Sequence, residues 1–378
     1  MRNESGAASA FRPKVLVVGQ GPPARGGIPT FVEMLLDDPW LQKHVVMDCL
    51  NTTPSREKRP GAADAANLRA AFADAGAIMR RARHVGVVHL NLSPAPLLPL
   101  LRALLLVLAA RAAGARVVLH AHTGRLHASA ARWSYRAALR AALLFVDSFV
   151  VVSRDAERAA ARLGRGVVRL ENAVDTGRIR PGPKADPPEL LFVGTVCERK
   201  GLIDLRDALL LAGLQATKAG QVRVRIVGDG AQEGPGAFER IVSAFADAGL
   251  GGVEFLGAVE RTRVIELLRG ASMFCLPSHR EGLPLSLLEA MAAGAAVLAT
   301  DVGDVSLALD QGRAGLIVPP ANVRALAAAL RRLVDDPEER DRLAAAARIR
   351  VEERFSRDRL VRSIHELYVR ASLRRRRP

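Results

Sequence analysis

Several ingredients are scarce in this chain, and each scarcity removes a class of answer. Aromatic residues make up 4% of the 378 positions. That is too few for the stacking platforms on which proteins hold single-stranded nucleic acid. Cysteine occurs three times, as Cys49, Cys197 and Cys275. An odd number, widely spaced and without a C-x-x-C pair, argues against a disulfide framework and fits a reducing, cytosolic compartment. Acidic residues (39) fall well short of Lys and Arg (55), leaving a formal charge of +16. Such a balance suits phosphorylated ligands, an anionic membrane or nucleic acid, although an arginine- and alanine-rich composition also produces it with no function attached. The start, "MRNESGAASAFRPK", has no apolar h-region, so no secretory signal is expected. The longest apolar run, "APLLPLLRALLLVLAARAAG" (95–114), is broken by Arg102. About ten clean apolar residues remain, short of the ~20 a spanning helix needs, so a buried or interfacial helix is expected.

What is present reads as two domains. The length exceeds the usual size of one core, and a hydrophobic content of 49% is that of a globular chain. In the first half, "KVLVVG" (14–19), "VVMDCL" (45–50), "VGVVHLNL" (85–92), "ARVVLHAH" (115–122), "SFVVVS" (148–153) and "VVRLENAV" (167–174) are apolar runs separated by helical patterns. Continuous apolar strands alternating with helices predict a parallel sheet covered on both faces. "RPGPKADPPE" (180–189), with four prolines and a glycine, reads as an interdomain linker. The alternation then resumes with "LLFVGT" (190–195), "VRVRIVG" (222–228), "VEFLGAV" (253–259), "SMFCLPS" (272–278), "AAVLAT" (295–300) and "GLIVPP" (315–320). The expected division is 1–183, 184–350 and a C-terminal helix with a basic tail, 351–378, that packs back toward the first domain. Arg374 to Arg377 suit either a solvated end or attachment to anionic lipid.

Four segments carry residues suited to chemistry. The first strand is followed by "GQGPPARGGIPTF" (19–31), where Gly26 and Gly27 precede a helix. Glycines there let a ligand approach the backbone and meet free N–H donors. "VVLHAHTG" places His120 and His122 on one face of a strand, with His122 at its carboxyl end and His127 nearby. No carboxylate or cysteine accompanies them, so His122 is read as a hydrogen-bonding group for a sugar hydroxyl or phosphate rather than a metal ligand. "GTVCERKGLIDL" (194–205) sets Arg199 and Lys200 beside a helix start, which suits a pyrophosphate. Finally, "EGLPLSLLEAMAAG" (281–294) reads as a buried helix with Pro284 at its first position and Gly294 at its exit. Its two acids, Glu281 in the preceding loop and Glu289 within, need a partner or a polar cleft. Carboxylates accept hydrogen bonds from vicinal hydroxyls, whereas cations and helix N-termini take phosphates. A nucleotide diphosphate-sugar satisfies both.

These residues resemble retaining glycosyltransferases of the GT-B fold, glycosyltransferase family 4. The resemblance runs from "VLVVGQGPPARGGIPTFVEMLL" to "GLIVPPANVRALAAAL" and is most specific in "PSHREGLPLSLLEAMAAGAAVLATDVG", which holds the E-x7-E pair Glu281 and Glu289. It implies an α/β architecture of two doubly wound Rossmann-like domains facing a central cleft, with C-terminal helices. It further implies that Glu281 holds donor-sugar hydroxyls, Glu289 the ribose hydroxyls and Lys200 the diphosphate. By the same resemblance, backbone N–H groups around Gly282 and Leu283 meet the distal phosphate and sugar, and Pro284 belongs to the same donor-binding loop. Gly26 and Gly27 lie beside the donor phosphate, His122 approaches the transferring sugar or acceptor, and Gly228 and Val259 flank the base. The family often has an arginine where this chain has Thr195, and Arg199 is the substitute at hand.

The expected activity is metal-independent, retaining transfer of a hexose-type sugar from a UDP-, GDP- or ADP-sugar to a glycan or lipid-linked acceptor. No D-x-D motif is present to bridge a diphosphate through a metal, and no cofactor is implied. Nucleic acid is not an expected partner. An anionic membrane is, through the basic tail and the 95–114 stretch, which would make the protein peripheral on the inner face of the membrane. A nucleotide-sugar epimerase on the same fold and a non-enzymatic polyanion binder are the rival readings.

Overall fold

A computed structural model describes residues 11–24, 26–52, 65–123, 126–163, 166–214, 222–230 and 236–373. Two compact units divide the chain: one comprises residues 1–170 with 358–378, the other residues 171–357.

The first unit is built on a parallel sheet of β1 (Lys14–Gly19), β2 (Val46–Asn51), β3 (Val87–Leu92), β4 (Arg116–Ala121), β5 (Ser148–Val151) and β6 (Val167–Arg169). The spatial order is β2-β1-β3-β4-β5-β6. β3 is buried along its whole length. Helices cover both faces of the sheet, which explains the run of Val and Leu, and His89 and Asn91 are buried along with it. The long apolar run forms the helix Leu97–Ala112, whose Leu100, Ala103, Leu106 and Val107 pack into the core. Among the described residues, no helix is long and apolar enough to cross a membrane.

The second unit repeats the design with β7 (Glu189–Val193), β8 (Arg223–Val227), β9 (Glu254–Gly257), β10 (Met273–Leu276), β11 (Ala296–Thr300) and β12 (Leu316–Val318). Its order is β12-β11-β10-β7-β8-β9. In both sheets the order reverses beside the first strand, between β1 and β3 and between β7 and β10. The carboxyl ends of the strands at such a reversal leave a crevice, because the connections leave in opposite directions. The proline-rich stretch 180–189 runs within the second unit, where Lys184 donates to the carbonyl of Ala293 at 3.1 Å.

Two details depart from the expected local structure. Pro284 is the cap rather than the first residue of its helix: its ψ of 129° is extended, and the helix is Leu285–Ala292. A proline needs no N–H partner at either place, so sequence alone does not separate them. The basic run Arg374–Arg377 and the side chain of His127 lie outside the described residues.

Candidate functional site

In the second unit, the loops after β7, β8, β10 and β11 are bound to one another by backbone approaches that admit no side chain. Gly228 follows β8 with φ 132°, and a Cβ there would sit 1.8 Å from the carbonyl oxygen of Gly194. Gly201, at φ 70°, would bring a Cβ to 1.9 Å from the Pro277 oxygen. Gly303, at φ 58°, lies against the Glu281–Gly282 backbone, and the Asp304 N–H donates to the Gly282 carbonyl at 2.8 Å. Positive φ and close approach together leave glycine as the residue that fits. The result is a fixed rim in which every expected donor-binding residue of this unit follows a strand's carboxyl end.

At the reversal between β7 and β10 that rim brings Lys200 and Glu281 together. Lys200 ends the short turn Glu198–Lys200, and Gly201 then turns the chain into the helix Leu202–Leu211. Its Nζ stands 2.6 Å from Glu281 Oε1, which also accepts from Ser278 Oγ at 2.7 Å. The two charged side chains are 12% and 10% exposed, so the pair is largely shielded from water. The Ser278 carbonyl accepts from Thr300 Oγ1, and the His279 N–H donates to the Arg199 carbonyl at 3.0 Å. Asn172 Nδ2 donates to the Leu283 carbonyl at 2.6 Å, fixing the loop that leads into the helix Leu285–Ala292. Gly282, Leu283 and Pro284 therefore sit between the carboxylate and a helix N-terminus, whose free N–H groups favour anions. Thr195 and Arg199 are half-buried on the neighbouring β7 loop.

Glu289 solves the problem of a carboxylate in an apolar helix differently. Its side chain is 4% exposed and meets Arg261 at 2.6 Å through Oε1. Arg261 opens the helix Arg261–Gly270, just past Val259 and the end of β9. The ion pair thus ties Glu289 to the turn that carries Val259. Ion pairing offsets the desolvation that a lone buried carboxylate would suffer.

The first unit holds a second group. Gly26 caps the helix Gly27–Leu36 with φ 127°, and nothing lies within 4 Å of where its Cβ would be. The helix start is therefore approachable, as a phosphate site requires. Phe31 of that helix packs on His122, ring centroids 4.6 Å apart, and Gly26, Gly27 and His122 all follow carboxyl ends of strands in this sheet. His122 follows β4 and its Nε2 lies 3.0 Å from Asn91 Oδ1 at the end of β3. Behind it, His120 Nδ1 pairs with His89 Nε2 at 3.3 Å, and His89 Nδ1 with Tyr368 Oη at 2.7 Å. Burial lowers His89 and His122 to about 3 and holds His120 well below its ordinary value. All three are neutral near pH 7. Asn91 Nδ2 faces the His89 carbonyl at 3.4 Å, which can only accept. Its Oδ1 must then accept from His122, placing the His122 proton on Nε2 and leaving Nδ1 a bare acceptor. Among the described residues no group of three His, Cys, Asp or Glu side chains is placed to hold a metal ion.

Sequence reasoning missed Arg261, Ser278, Asn172, Asn91 and Phe31. Asn91 and His89 left a signal, as polar residues in an otherwise apolar strand. Arg261 left none, being one arginine among many.

Comparison with known proteins bears on the same region. The family described as "Glycosyl transferases group 1" matches residues 175–350. A glycogen synthase of Mycobacterium tuberculosis is 33% identical over 176 residues, 46% of this chain and 41% of that protein. A phosphatidyl-myo-inositol mannosyltransferase of Mycolicibacterium smegmatis is 33% identical over 187 residues, 47% of this chain and 45% of that protein. The chain thus spans less than half the length of these relatives. Among solved structures, a sucrose-phosphate synthase from Thermosynechococcus elongatus superposes with a TM-score of 0.75 at 20% identity, covering 95% of this chain and 99% of that one. The Anabaena protein HepE in complex with UDP-glucose gives 0.72 at 16% identity, covering 95% and 100%. The fold is therefore of the GT-B class, and residues 175–350 carry a glycosyl transferases group 1 domain.

Proposed function

We propose that this protein is a retaining glycosyltransferase of family 4 that moves a hexose-type sugar from a nucleotide diphosphate-sugar to a glycan or lipid-linked acceptor. The observation that carries this reading is the meeting of Lys200 and Glu281 at the strand-order reversal of the second sheet, inside the segment that matches a glycosyltransferase family. A cation and a carboxylate there, next to a helix N-terminus, form a ready set for a diphosphate and the hydroxyls of its sugar.

In this reading Lys200 exchanges its contact with Glu281 for the donor diphosphate, assisted by Arg199 in place of the family arginine absent at Thr195. Glu281 turns to accept from the sugar hydroxyls while Ser278 keeps its orientation. N–H groups at Gly282, Leu283 and the helix start face the distal phosphate. Glu289, held by Arg261, accepts from the ribose hydroxyls, with Gly228 and Val259 beside the base. Gly26 and Gly27 add backbone donors for phosphate, and His122 offers the acceptor lone pair of Nδ1 to a sugar hydroxyl. The acceptor hydroxyl attacks the anomeric carbon from the face the diphosphate is leaving. The C–O bond to phosphate breaks as the new glycosidic bond forms, and the proton passes to the departing phosphate oxygen. Preorganised N–H donors and Lys200 stabilise the charge that develops, an effect worth several kcal/mol, with neither metal nor cofactor.

The named relatives do not favour an epimerase. The test is incubation with UDP-, GDP- and ADP-sugars plus a panel of glycan and lipid-linked acceptors, in EDTA. Nucleoside diphosphate release with a product of unchanged anomeric configuration supports the proposal. An inverted product, or activity that EDTA abolishes, contradicts it.

A further inference from the structure

The first unit carries a surface that the proposed chemistry does not use. The helices Ala65–Ala82, Leu97–Ala112 and Trp133–Leu143 bury their inner faces in one core, through Ile78, Leu106 and Leu139 among others. Their outer faces carry large apolar side chains where water would ordinarily select polar residues. Leu68 and Phe72 are 60% and 59% exposed, and Met79 continues the stripe. Leu97, Leu101 and Leu108 repeat the same spacing of four and seven on the second helix, with Leu98 beside them. Trp133 is 76% exposed, and Leu144 and Phe145 lie exposed just past the third helix. Exposed large apolar side chains gathered on neighbouring helices mark a docking surface.

The charge of the patch decides what docks. Between residues 65 and 147 the chain has eleven arginines and two acids, Asp74 and Asp147. Both acids are turned inward and paired: Asp74 with Arg102 at 2.6 Å, Asp147 with Arg111 and Arg116 at 3.0 Å. Arg132, Arg136 and Arg140 stand exposed at intervals of four along the third helix. A second copy of this face would set cations against cations. A nucleic acid would take the arginines but not the leucines. An anionic bilayer takes both, with the exposed indole at the headgroup level.

We infer that the outer face of these three helices is a peripheral docking surface for an anionic lipid bilayer. It holds the protein by apolar side chains dipped into the interface and by arginines against phosphate headgroups. The inference rests on this surface alone, so vesicle binding without sugar transfer leaves it standing.

Trp40 and Trp133 are the two tryptophans of the chain, which makes the test direct. In the full chain carrying Trp40→Phe, Trp133 emission should shift to the blue and be quenched by brominated acyl chains when vesicles contain phosphatidylglycerol. Phosphatidylcholine vesicles alone should give much weaker binding. Each exposed arginine contributes roughly fivefold to partitioning at an anionic surface, so Arg132→Ser with Arg136→Ser and Arg140→Ser should weaken it on the order of 100-fold. Leu98→Ser with Leu101→Ser should reduce the quenching. Vesicle binding without Trp133 quenching would assign attachment to another surface and overturn the inference. So would a lipid-free dimer that the leucine variants dissociate, or the absence of vesicle binding altogether.

Discussion

Removing the cation of the Lys200–Glu281 pair should expose two separable consequences. In Lys200→Met, Glu281 keeps its Ser278 bond but loses the charge beside it. Breaking a fully buried pair costs about 3–5 kcal/mol, and an exposed one about 0–1. With side chains 12% and 10% exposed, and with Ser278 still bonded, about 2–3 kcal/mol is expected. For a unit of this size, residues 171–357, that corresponds to a fall in melting temperature of about 4–12 °C. The double variant Lys200→Met/Glu281→Gln leaves no unpaired charge and should recover most of that stability, since neutral replacement of a buried pair is often nearly free. Transfer activity should remain lost in both, because the diphosphate has lost its cation. Calorimetry alongside nucleoside diphosphate release measures the two effects on the same samples. A single variant as stable as the wild type, or a double variant no more stable than the single, would refute the energetic argument. Near-native transfer by folded Lys200→Met would refute the phosphate role.

Four further outcomes follow from named contacts. Arg261→Ala leaves Glu289 buried without its cation and should cost about 2–4 kcal/mol, with a parallel loss of nucleotide affinity read by calorimetric titration. Gly228→Ala must displace the Gly194 backbone and should unfold the second unit or prevent soluble expression, whereas Gly26→Ala meets open space and costs only its backbone strain, about 1–3 kcal/mol by urea denaturation. His89 and His122 bind protons less readily folded than unfolded, so stability should fall as pH drops from about 6.5 toward 3. The expected slope is ~1.4 kcal/mol per pH unit for each, and His89→Leu should remove its own share in urea titrations at stepped pH. Asn91→Leu should release the His122 tautomer, visible as a changed imidazole nitrogen shift by NMR, and lower the turnover number more than it raises KM.

Much of the fold was legible because parallel strands buried on both faces leave unbroken Val and Leu runs. All twelve runs contain strands, most with one or both ends trimmed. The trimming has a physical cause: apolar residues continue past the last ladder bond when the loop that follows is itself buried, as Val152 and Val174 are. The glycines were legible as turns, but not as crossings where two backbones nearly touch. Gly201 and Pro277 are far apart in sequence, and no local pattern reports their contact. The same limit hid the partners of the carboxylates. Glu289 declared its need for a partner or a polar cleft by sitting in an apolar helix, yet Arg261 is one of many arginines and lies on another helix. Lys200 and Glu281 were each conspicuous in their own loops, but only the strand order of the second sheet brings them within 2.6 Å. His120 and His122 were visible as a pair, whereas the link from His89 to Tyr368 joins residues 279 positions apart.

If the second unit holds a nucleotide diphosphate-sugar through its carboxylates and Lys200, the matching donor must stabilise it. A thermal-shift panel of UDP-, GDP- and ADP-sugars against the wild type and Glu289→Ala tests it most directly. One nucleotide series should raise the melting temperature of the wild type, and the shift should be lost in Glu289→Ala. No shift with any series, or a shift of equal size in the variant, would contradict it.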